Sequence, residues 1–226
     1  MNPELEATLT VITPTTGKPS LRRLIRSIDG QKLALGVVHF LLWDDVRDSE
    51  ADAPEGYSSA NRHSIVLPSG TGRNGQAPGS QLRAIGLMAA RTPWVTFADD
   101  DVWWEPHHLQ ALRESVGERD WCTTLRTVWS PDGARIGVDR FESVGDDPAR
   151  SVPYEMVDNN CMLFRRELGV AASGLYRETR EYNDDRLMYA FLKRKAGIGG
   201  RTGTPTVNHI CPERLVDFFR RNCSPD

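Results

Sequence analysis

The sequence predicts an α/β fold with a mostly parallel sheet flanked by helices. Apolar runs rich in β-branched residues alternate with amphipathic stretches of helical period through the first half of the chain. Such alternation is typical of a sheet that is covered by helices on both faces. The apolar runs are also hydrophobic almost throughout, as expected for strands that are buried on both faces in a parallel sheet.

Length and composition limit the classes of protein that the chain can represent. Its 226 residues are enough for one substantial domain, and no internal repeat is visible. The net charge of −3 gives no basic field that would attract nucleic acid. None of the four cysteines forms a C-x-x-C pair, so a zinc site is not expected.

Neither a signal peptide nor a membrane-spanning segment is expected from the sequence. No N-terminal segment has the pattern of a signal peptide, and no apolar run approaches the ~18 residues that span a bilayer. We therefore expect a cytoplasmic protein with reduced thiols. Peripheral contact with a membrane is compatible with this expectation.

The first half contains four predicted strands and two predicted helices. The strands cover residues 9–13, 37–43, 64–67 and 94–98, and the helices cover residues 21–28 and 81–91. Ser20 is a suitable N-cap for the first helix. A glycine-rich segment separates the third strand from the second helix. A further helix is expected to begin near Pro106, because proline is favoured in the first helical turn.

The second half changes character near residue 120. Strands at residues 121–130 and 135–141 flank a Pro-Asp-Gly turn, which predicts a hairpin. Further elements are predicted as strands at residues 160–164 and 206–211, and as helices at residues 165–172, 182–195 and 213–221. We expect a single domain over residues 1–226.

Polar and acidic side chains follow three of the predicted strands. Thr15 follows the first, Asp44 and Asp45 follow the second, and Asp99, Asp100 and Asp101 follow the fourth. Because ligands of parallel sheets bind outside the carboxyl ends of the strands, we expect these side chains to meet in one site. Adjacent carboxylates repel one another unless a cation lies between them, and their oxygens suit Mg²⁺ or Mn²⁺. The alternative interpretation is a solvated acidic turn.

With these residues the chain resembles the inverting GT-A glycosyltransferases of the large family-2 type, over nearly its whole length. That family opens with a strand, a Pro-Thr pair and a helix, which Pro14 and Thr15 match. Its Asp-x-Asp metal motif matches residues 99–101, and the aromatic residue and proline that follow the motif match Trp104 and Pro106.

Three further blocks of the family follow in order along the chain. They are acids at the end of the second strand, an arginine before a glycine-led helix, and a late acidic pair before an apolar helix. These blocks fall on Asp44 and Asp45, on Arg83 and Gly86, and on Asp184 and Asp185.

The resemblance implies a GT-A, Rossmann-like sheet with a nucleotide-sugar half at about residues 1–120 and a smaller acceptor half at about 121–226. It implies transfer of a sugar, with inversion, from a nucleotide-sugar donor that is expected to be UDP-linked. The acceptor would be a hydroxyl of a glycan, a lipid-linked sugar or a small molecule. The cofactor would be Mn²⁺ or Mg²⁺.

The resemblance also implies roles for individual residues. The metal would be bound by Asp101, with Asp99 and His209 as further ligands. Asp184 would be the base that deprotonates the acceptor hydroxyl, and Asp185 is the alternative. The donor would contact Pro14, Thr15, Asp44, Asp45, Arg83, Asp99 and Asp100. Each role has a structural alternative, such as a turn acid or a helix N-terminal acid favoured by the macrodipole.

The sequence departs from the family pattern at three positions. Gly17 and Ala84 stand where asparagine is usual, and Asn183 stands where glutamate is usual. The change at Asn183 leaves open which of the two aspartates after it is the base.

Two other classes of protein stay open. A sugar-nucleotide pyrophosphorylase has a similar sheet, but its glycine-rich phosphate loop directly follows the first strand, whereas the glycine-rich segment here follows the third. The other class is a non-catalytic nucleotide- or glycan-binding protein on the same fold.

Overall fold

The computed structural model describes residues 8–32, 36–44, 61–74, 77–146, 155–178 and 183–225. The strands are β1 (Leu9–Thr15), β2 (Val37–Trp43), β3 (Arg62–Val66), β4 (Arg73–Asn74), β5 (Ala77–Pro78), β6 (Trp94–Phe97), β7 (Val102–Trp104), β8 (Trp121–Trp129), β9 (Arg135–Asp139), β10 (Met162–Arg165), β11 (Gly200–Ile210) and β12 (Cys223–Ser224). The helices are α1 (Leu21–Asp29), α2 (Ser80–Ala89), α3 (His108–Val116), α4 (Arg166–Glu178), α5 (Asp184–Ala196) and α6 (Val216–Asn222).

The strands of the first half form a parallel sheet. β1 lies between β2 and β6, and β3 extends the sheet beyond β2. The register pairs Leu9 with both Val37 and Trp94, so the carboxyl ends of β1, β2 and β6 meet at one edge. This arrangement confirms the predicted α/β class with helices beside a parallel sheet. It also places the polar residues that follow these strands side by side.

The second half continues the same sheet with antiparallel pairs. β10 pairs with both β6 and β8, β9 pairs with β8, and β12 pairs with β9. β9 returns along β8 because the connection between them is too short for a parallel crossover. The predicted hairpin is therefore confirmed, and parallel pairing is concentrated in the first half.

β11 joins the short strand β7 to the sheet. It pairs parallel to β8 and antiparallel to β7, the short strand directly after the three aspartates. Its register against β8 is irregular around Pro205, because proline cannot donate a ladder hydrogen bond. The sequence pattern predicts this strand only from residue 206, whereas the structure begins it at Gly200. Glycine and proline are depleted in strands, and the first part of β11 contains Gly200, Gly203 and Pro205. The amino-acid pattern therefore does not predict a strand there.

The helix α2 approaches β1 closely at Gly86. A Cβ atom on Gly86 in α2 would lie 2.5 Å from Cγ2 of Ile12 in β1. On another helix, the apolar stripe of α1 is buried at Leu21, Leu24 and Ile28, as its spacing predicts. The core is therefore continuous beneath the edge where the strands end.

Several element boundaries differ from the predicted ones. α4 continues past residue 172 to Glu178, and the predicted helix at 213–221 is divided into a 3₁₀ turn, Glu213–Leu215, and α6. Among the helices of the described ranges, none combines the length and apolar character that crossing a bilayer requires.

Candidate active site

A cleft of about 440 Å³ opens at the carboxyl edge of the parallel strands. It is lined by Pro14, Thr15, Thr16, Lys18, Asp44, Gly79, Leu82, Arg83, Asp99, Asp100, Asp101, Asp184 and Asp185. Nearly all the residues proposed from the sequence therefore lie in one cleft. His209 does not line it, and Asp45 lies outside the described residues.

Asp100 and Asp101 share a lysine that the sequence analysis did not select. The ammonium of Lys18 lies 2.9 Å from Oδ1 of Asp100 and 3.0 Å from Oδ2 of Asp101. The hydroxyl of Thr15 donates a hydrogen bond of 2.8 Å to Oδ2 of Asp100. The sequence position of Lys18 could have indicated this contact, because the loop after β1 lies at the same sheet edge as the aspartates.

Asp99 has different partners from its two neighbours. Its Oδ1 accepts a hydrogen bond of 2.5 Å from Nη2 of Arg83, and its Oδ2 accepts one of 3.1 Å from Nδ2 of Asn160. The backbone N–H of Asp99 donates to Oδ1 of Asn160 at 2.6 Å. Both carboxylate oxygens of Asp99 thus already have protein donors. Burial raises the pKa of Asp99, and the charge of Arg83 opposes this increase.

Arg83 connects the acidic loop to the start of α5. Its Nη1 lies 3.3 Å from Oδ2 of Asp184, which also accepts a hydrogen bond of 2.9 Å from the hydroxyl of Ser80. The Arg83 side chain is only 8 % exposed, so it forms these ion pairs where water competes little. Asp184 is consequently fixed by two donors from α2.

Asp185 also lines the cleft, although it directly follows Asp184 on the helix. A helical step of about 100° predicts that Asp185 points away from the cleft. The first turn of α5 lies at the cleft rim, and Oδ1 of Asp185 accepts a hydrogen bond of 2.9 Å from the backbone N–H of Asn159. Burial, together with the charges of Asp158 and Asp184, raises the pKa of Asp185 well above its ordinary value.

The turn at residues 158–160 contacts both acidic groups. Asp158 caps this turn by accepting hydrogen bonds of 2.8 Å from the backbone N–H of Asn160 and 2.7 Å from its Nδ2. Asn160 contacts Asp99 and Asn159 contacts Asp185, as described above. The hydroxyl of Tyr176 donates to Oδ1 of Asn159 at 2.7 Å. The turn therefore fixes the Asp99 and Asp185 carboxylates relative to each other.

A single buried arginine lies behind this turn. Arg126 on β8 forms ion pairs with Asp139, Glu142 and Asp158, and its Nε lies 2.8 Å from Oδ2 of Asp139. The Arg126 side chain is only 2 % exposed. The amino-acid pattern does not indicate this cluster, because its members are spread over more than thirty positions and have no recognisable spacing.

Asp44 offers a polar atom to the cleft. It is buried at the end of β2, and its Oδ2 accepts a hydrogen bond of 3.0 Å from the backbone N–H of Gly72. Its Oδ1 is buried without a hydrogen-bond partner in the described part of the chain. A buried acceptor without a donor is costly, so Oδ1 is suited to accept a hydrogen bond from a ligand.

His209 lies on β11 opposite Val102, the residue that follows Asp101. Its Nδ1 is buried and has no hydrogen-bond partner within the described ranges. Burial and the charge of Arg126 lower its pKa, so its imidazole is neutral at pH 7 and retains a lone pair for a metal. Across the described residues, no three His, Cys, Asp or Glu side chains are grouped so that they could hold a metal ion as they stand.

The fold and the cleft together define the class of protein. A sheet with parallel strands beside helices, and a polar cleft at the strand ends, is the GT-A arrangement of glycosyltransferases. The sequence matches the model of Glycosyl transferase family 2 over residues 10–167. This match covers more than half of the chain, and the chain therefore belongs to glycosyltransferase family 2.

Solved structures agree with this fold. The chain is similar to S. aureus TarS residues 1–349, with a TM-score of 0.64 and 16 % sequence identity, over 97 % of this chain and 67 % of that one. A longer TarS structure gives a TM-score of 0.67 at the same 16 % identity, covering 97 % of this chain and 40 % of TarS. The chain thus spans less than half of the longer TarS chain.

A third similar structure is TarS 1–349 in complex with UDP-GlcNAc, with a TM-score of 0.64 and 16 % identity over 91 % of this chain and 59 % of that one. At this identity the likeness shows the fold alone. Comparison of the sequence with functionally characterised proteins gives no significant match.

Proposed function

We propose that the protein transfers a sugar from a UDP-linked donor to an acceptor hydroxyl with inversion of the anomeric configuration. The observation that carries this proposal is the convergence, in one cleft, of the strand-end acids with Arg83 and the acidic pair of α5. The acceptor would be a glycan, a lipid-linked sugar or a small molecule. The cytoplasmic location stays a prediction from the sequence.

Donor binding would use the polar groups at the ends of β1 and β2. TarS, which shares this fold, has been solved with UDP and with UDP-GlcNAc. In this chain, Oδ1 of Asp44, which has no hydrogen-bond partner among the described residues, would accept a hydrogen bond from the base or ribose. Pro14, Thr15 and Asp100 line the same side of the cleft. Asp45, which was also predicted to contact the donor, lies outside the described residues.

The acidic loop fits a divalent cation, because two of its oxygens already converge on a positive charge. Oδ1 of Asp100 and Oδ2 of Asp101 both point at the Lys18 ammonium. Asp101 and Nδ1 of His209, for which the described residues offer no hydrogen-bond partner, would hold Mn²⁺ or Mg²⁺, with Asp100 as a further oxygen ligand. Asp99 is the weaker candidate, since its cation is the buried Arg83, whereas the cation that contacts Asp100 is the half-exposed Lys18. When bound, the cation would neutralise charge on the departing diphosphate.

The contacts of the acidic pair support Asp185, the second of the two candidates, as the base. Asp184 is paired with Arg83 and accepts a hydrogen bond from Ser80, so its carboxylate is already occupied by two protein donors. Asp185 has a raised pKa, which makes its carboxylate a stronger proton acceptor. Asp185 would remove the proton from the acceptor hydroxyl, while Asp184 would hold Arg83 in place beside Asp99.

Release of UDP from a panel of UDP-sugars, measured with Mn²⁺ and with a chelator, tests the proposal. We expect slow hydrolysis of at least one donor that requires the metal. A chain that binds UDP but releases none from any donor, with or without candidate acceptors, would be a binding protein on the same fold.

The metal part of the proposal has its own measurement. We expect Asp101→Ala to abolish the metal-dependent binding of UDP in calorimetry, because it removes the carboxylate that faces the cation site. The matched control is Asp217→Ala, which removes an exposed carboxylate on α6 and leaves the cleft intact. Equal affinity of wild type and Asp101→Ala for UDP plus Mn²⁺ would contradict the assignment.

A further inference from the structure

Lys18 places a positive charge between two aspartates of the metal motif. Its ammonium lies within 3.0 Å of one oxygen from each of Asp100 and Asp101. A lysine ammonium and a divalent cation both require these oxygens at short range, so the two cannot occupy this position together.

The loop that carries Lys18 is built to direct it toward the aspartates. The hydroxyl of Thr15 donates to Asp100 and accepts a hydrogen bond of 2.9 Å from the backbone N–H of Gly17. Gly17 has a φ of +83°, a conformation that side chains disfavour, and it turns the chain before Lys18. The conformation of the loop at Thr15 and Gly17 therefore helps to place Lys18 beside Asp100 and Asp101.

The two cations of the acidic loop differ in how easily they can leave. The Arg83 side chain beside Asp99 is 8 % exposed, whereas the Lys18 side chain is 51 % exposed. Of the two partners of Lys18, Asp100 is 6 % exposed and Asp101 is 38 % exposed. The pair with Asp101 is therefore partly exposed, and exposed ion pairs contribute little free energy. Lys18 can therefore move away from its carboxylates without disturbing the core, whereas Arg83 cannot.

We infer that Lys18 and the divalent cation occupy the Asp100–Asp101 carboxylates in turn, so that Lys18 closes the metal site while the donor is absent. This inference rests on the proposed function. Lys18 lines the same cleft as the donor-binding residues, so its released ammonium lies where it can pair with the donor diphosphate. Binding of the diphosphate then favours binding of the metal, and each ligand increases the affinity for the other by the same factor.

The test measures Mn²⁺ binding to the full chain by electron paramagnetic resonance, without nucleotide and with saturating UDP. We expect Lys18→Met to bind Mn²⁺ without UDP roughly fivefold more tightly than wild type, the size of a partly exposed ion pair. We also expect UDP to increase the Mn²⁺ affinity of Lys18→Met less than it increases that of wild type. Lys195→Met removes an exposed lysine at the end of α5 and serves as the matched control.

The outcomes separate this inference from the proposed function. Equal or weaker Mn²⁺ affinity of Lys18→Met without UDP, in a protein that still binds Mn²⁺ with UDP, overturns the role of Lys18 and leaves the transferase proposal intact. Wild type that binds no Mn²⁺ even with UDP overturns the metal site itself and this inference with it. Lys18→Gln, which keeps a polar side chain, should behave as Lys18→Met does, and wild-type affinity in that variant also contradicts the inference.

Discussion

Two clusters of three carboxylates in the described part of the chain are neutralised in different ways. The acidic loop at residues 99–101 is paired with Arg83 and with the half-exposed Lys18. The cluster behind the turn at residues 158–160 has Arg126 at its centre with carboxylates on three sides, and the Arg126 side chain is only 2 % exposed. The acidic loop has one cation, Lys18, that can be exchanged, whereas the buried cluster depends on Arg126, which cannot. This difference separates carboxylates that are placed for a ligand from carboxylates that hold the fold.

The two clusters are joined by the turn at residues 158–160. Asp158 belongs to the buried cluster, and Asn160 reaches from the turn to Asp99. The geometry of the exchangeable cluster therefore depends on the fixed one. Three substitutions test this comparison. They remove the buried cation Arg126, the proposed base Asp185, and the side chain of Asn160 that connects the two clusters.

The largest effect is expected from Arg126→Met. Removal of one partner from a buried ion pair leaves uncompensated charge, and such changes cost about 3–5 kcal/mol of unfolding free energy. Urea denaturation followed by circular dichroism measures this loss. Arg220→Met, which removes an exposed arginine paired with Asp217, should change stability by less than about 0.5 kcal/mol. Equal stability of the two variants would show that the buried cluster does not hold the fold.

The next largest effect is expected from Asp185→Asn. Loss of the proposed base should reduce turnover roughly a hundredfold or more. UDP affinity should stay close to that of wild type, because Asp185 contacts the turn at Asn159 and not the strand-end acids. Asp184→Asn should weaken donor binding and keep turnover at saturating donor, since it loosens Arg83. If Asp184→Asn instead loses turnover and Asp185→Asn instead weakens donor binding, Asp184 is the base.

The raised pKa of Asp185 gives this prediction a dependence on pH. The base must be ionised, so turnover should fall with decreasing pH while the pH is still above the ordinary range of an aspartate. Because the folded protein binds this proton more tightly than the unfolded chain, ionisation of Asp185 destabilises the fold as pH rises. Asp185→Asn should therefore be more stable than wild type at neutral pH, and the difference should vanish below about pH 4. Identical denaturation curves at neutral pH would contradict the raised pKa.

The smallest effect is expected from Asn160→Ala, which disconnects the two clusters. Loss of the side-chain contacts to Asp99 should raise the KM for the donor roughly fivefold, the size of one buried hydrogen bond of about 1 kcal/mol. Asn222→Ala removes a hydrogen bond to the carbonyl of Phe218, outside the cleft, and should leave KM unchanged. Steady-state kinetics with the donor identified by UDP release measures both variants. A change in turnover with constant KM would assign the turn to the acceptor side.

The sequence predicts much of the parallel half because its signals are local. β2 and β6 are directly followed by acids that reach the cleft, and the helical stripes are regular, so the amino-acid pattern is sufficient to propose Asp44 and residues 99–101. Arg83 was proposed from the family resemblance. Gly86 also had to be small for α2 to approach β1.

The second half was less predictable because its partners are distant. Arg126 and Asp158 stand far apart in the sequence, and nothing in their spacing indicates that they meet. The roles of Asp184 and Asp185 depend on which donors reach them from α2 and from the turn, and such contacts have no local pattern. Lys18 was overlooked because a single lysine in a loop is usually a solvated surface residue.

The strand β11 has a consequence for how the cleft comes into existence during synthesis. β7, which begins directly after the three aspartates, has β11 as its partner in the described sheet, and more than ninety residues separate them. Pairing over such a separation raises the contact order and slows folding. During synthesis, β7 cannot pair with β11 until residue 210 has emerged from the ribosome. The three aspartates therefore reach their final environment only after most of the chain has been made.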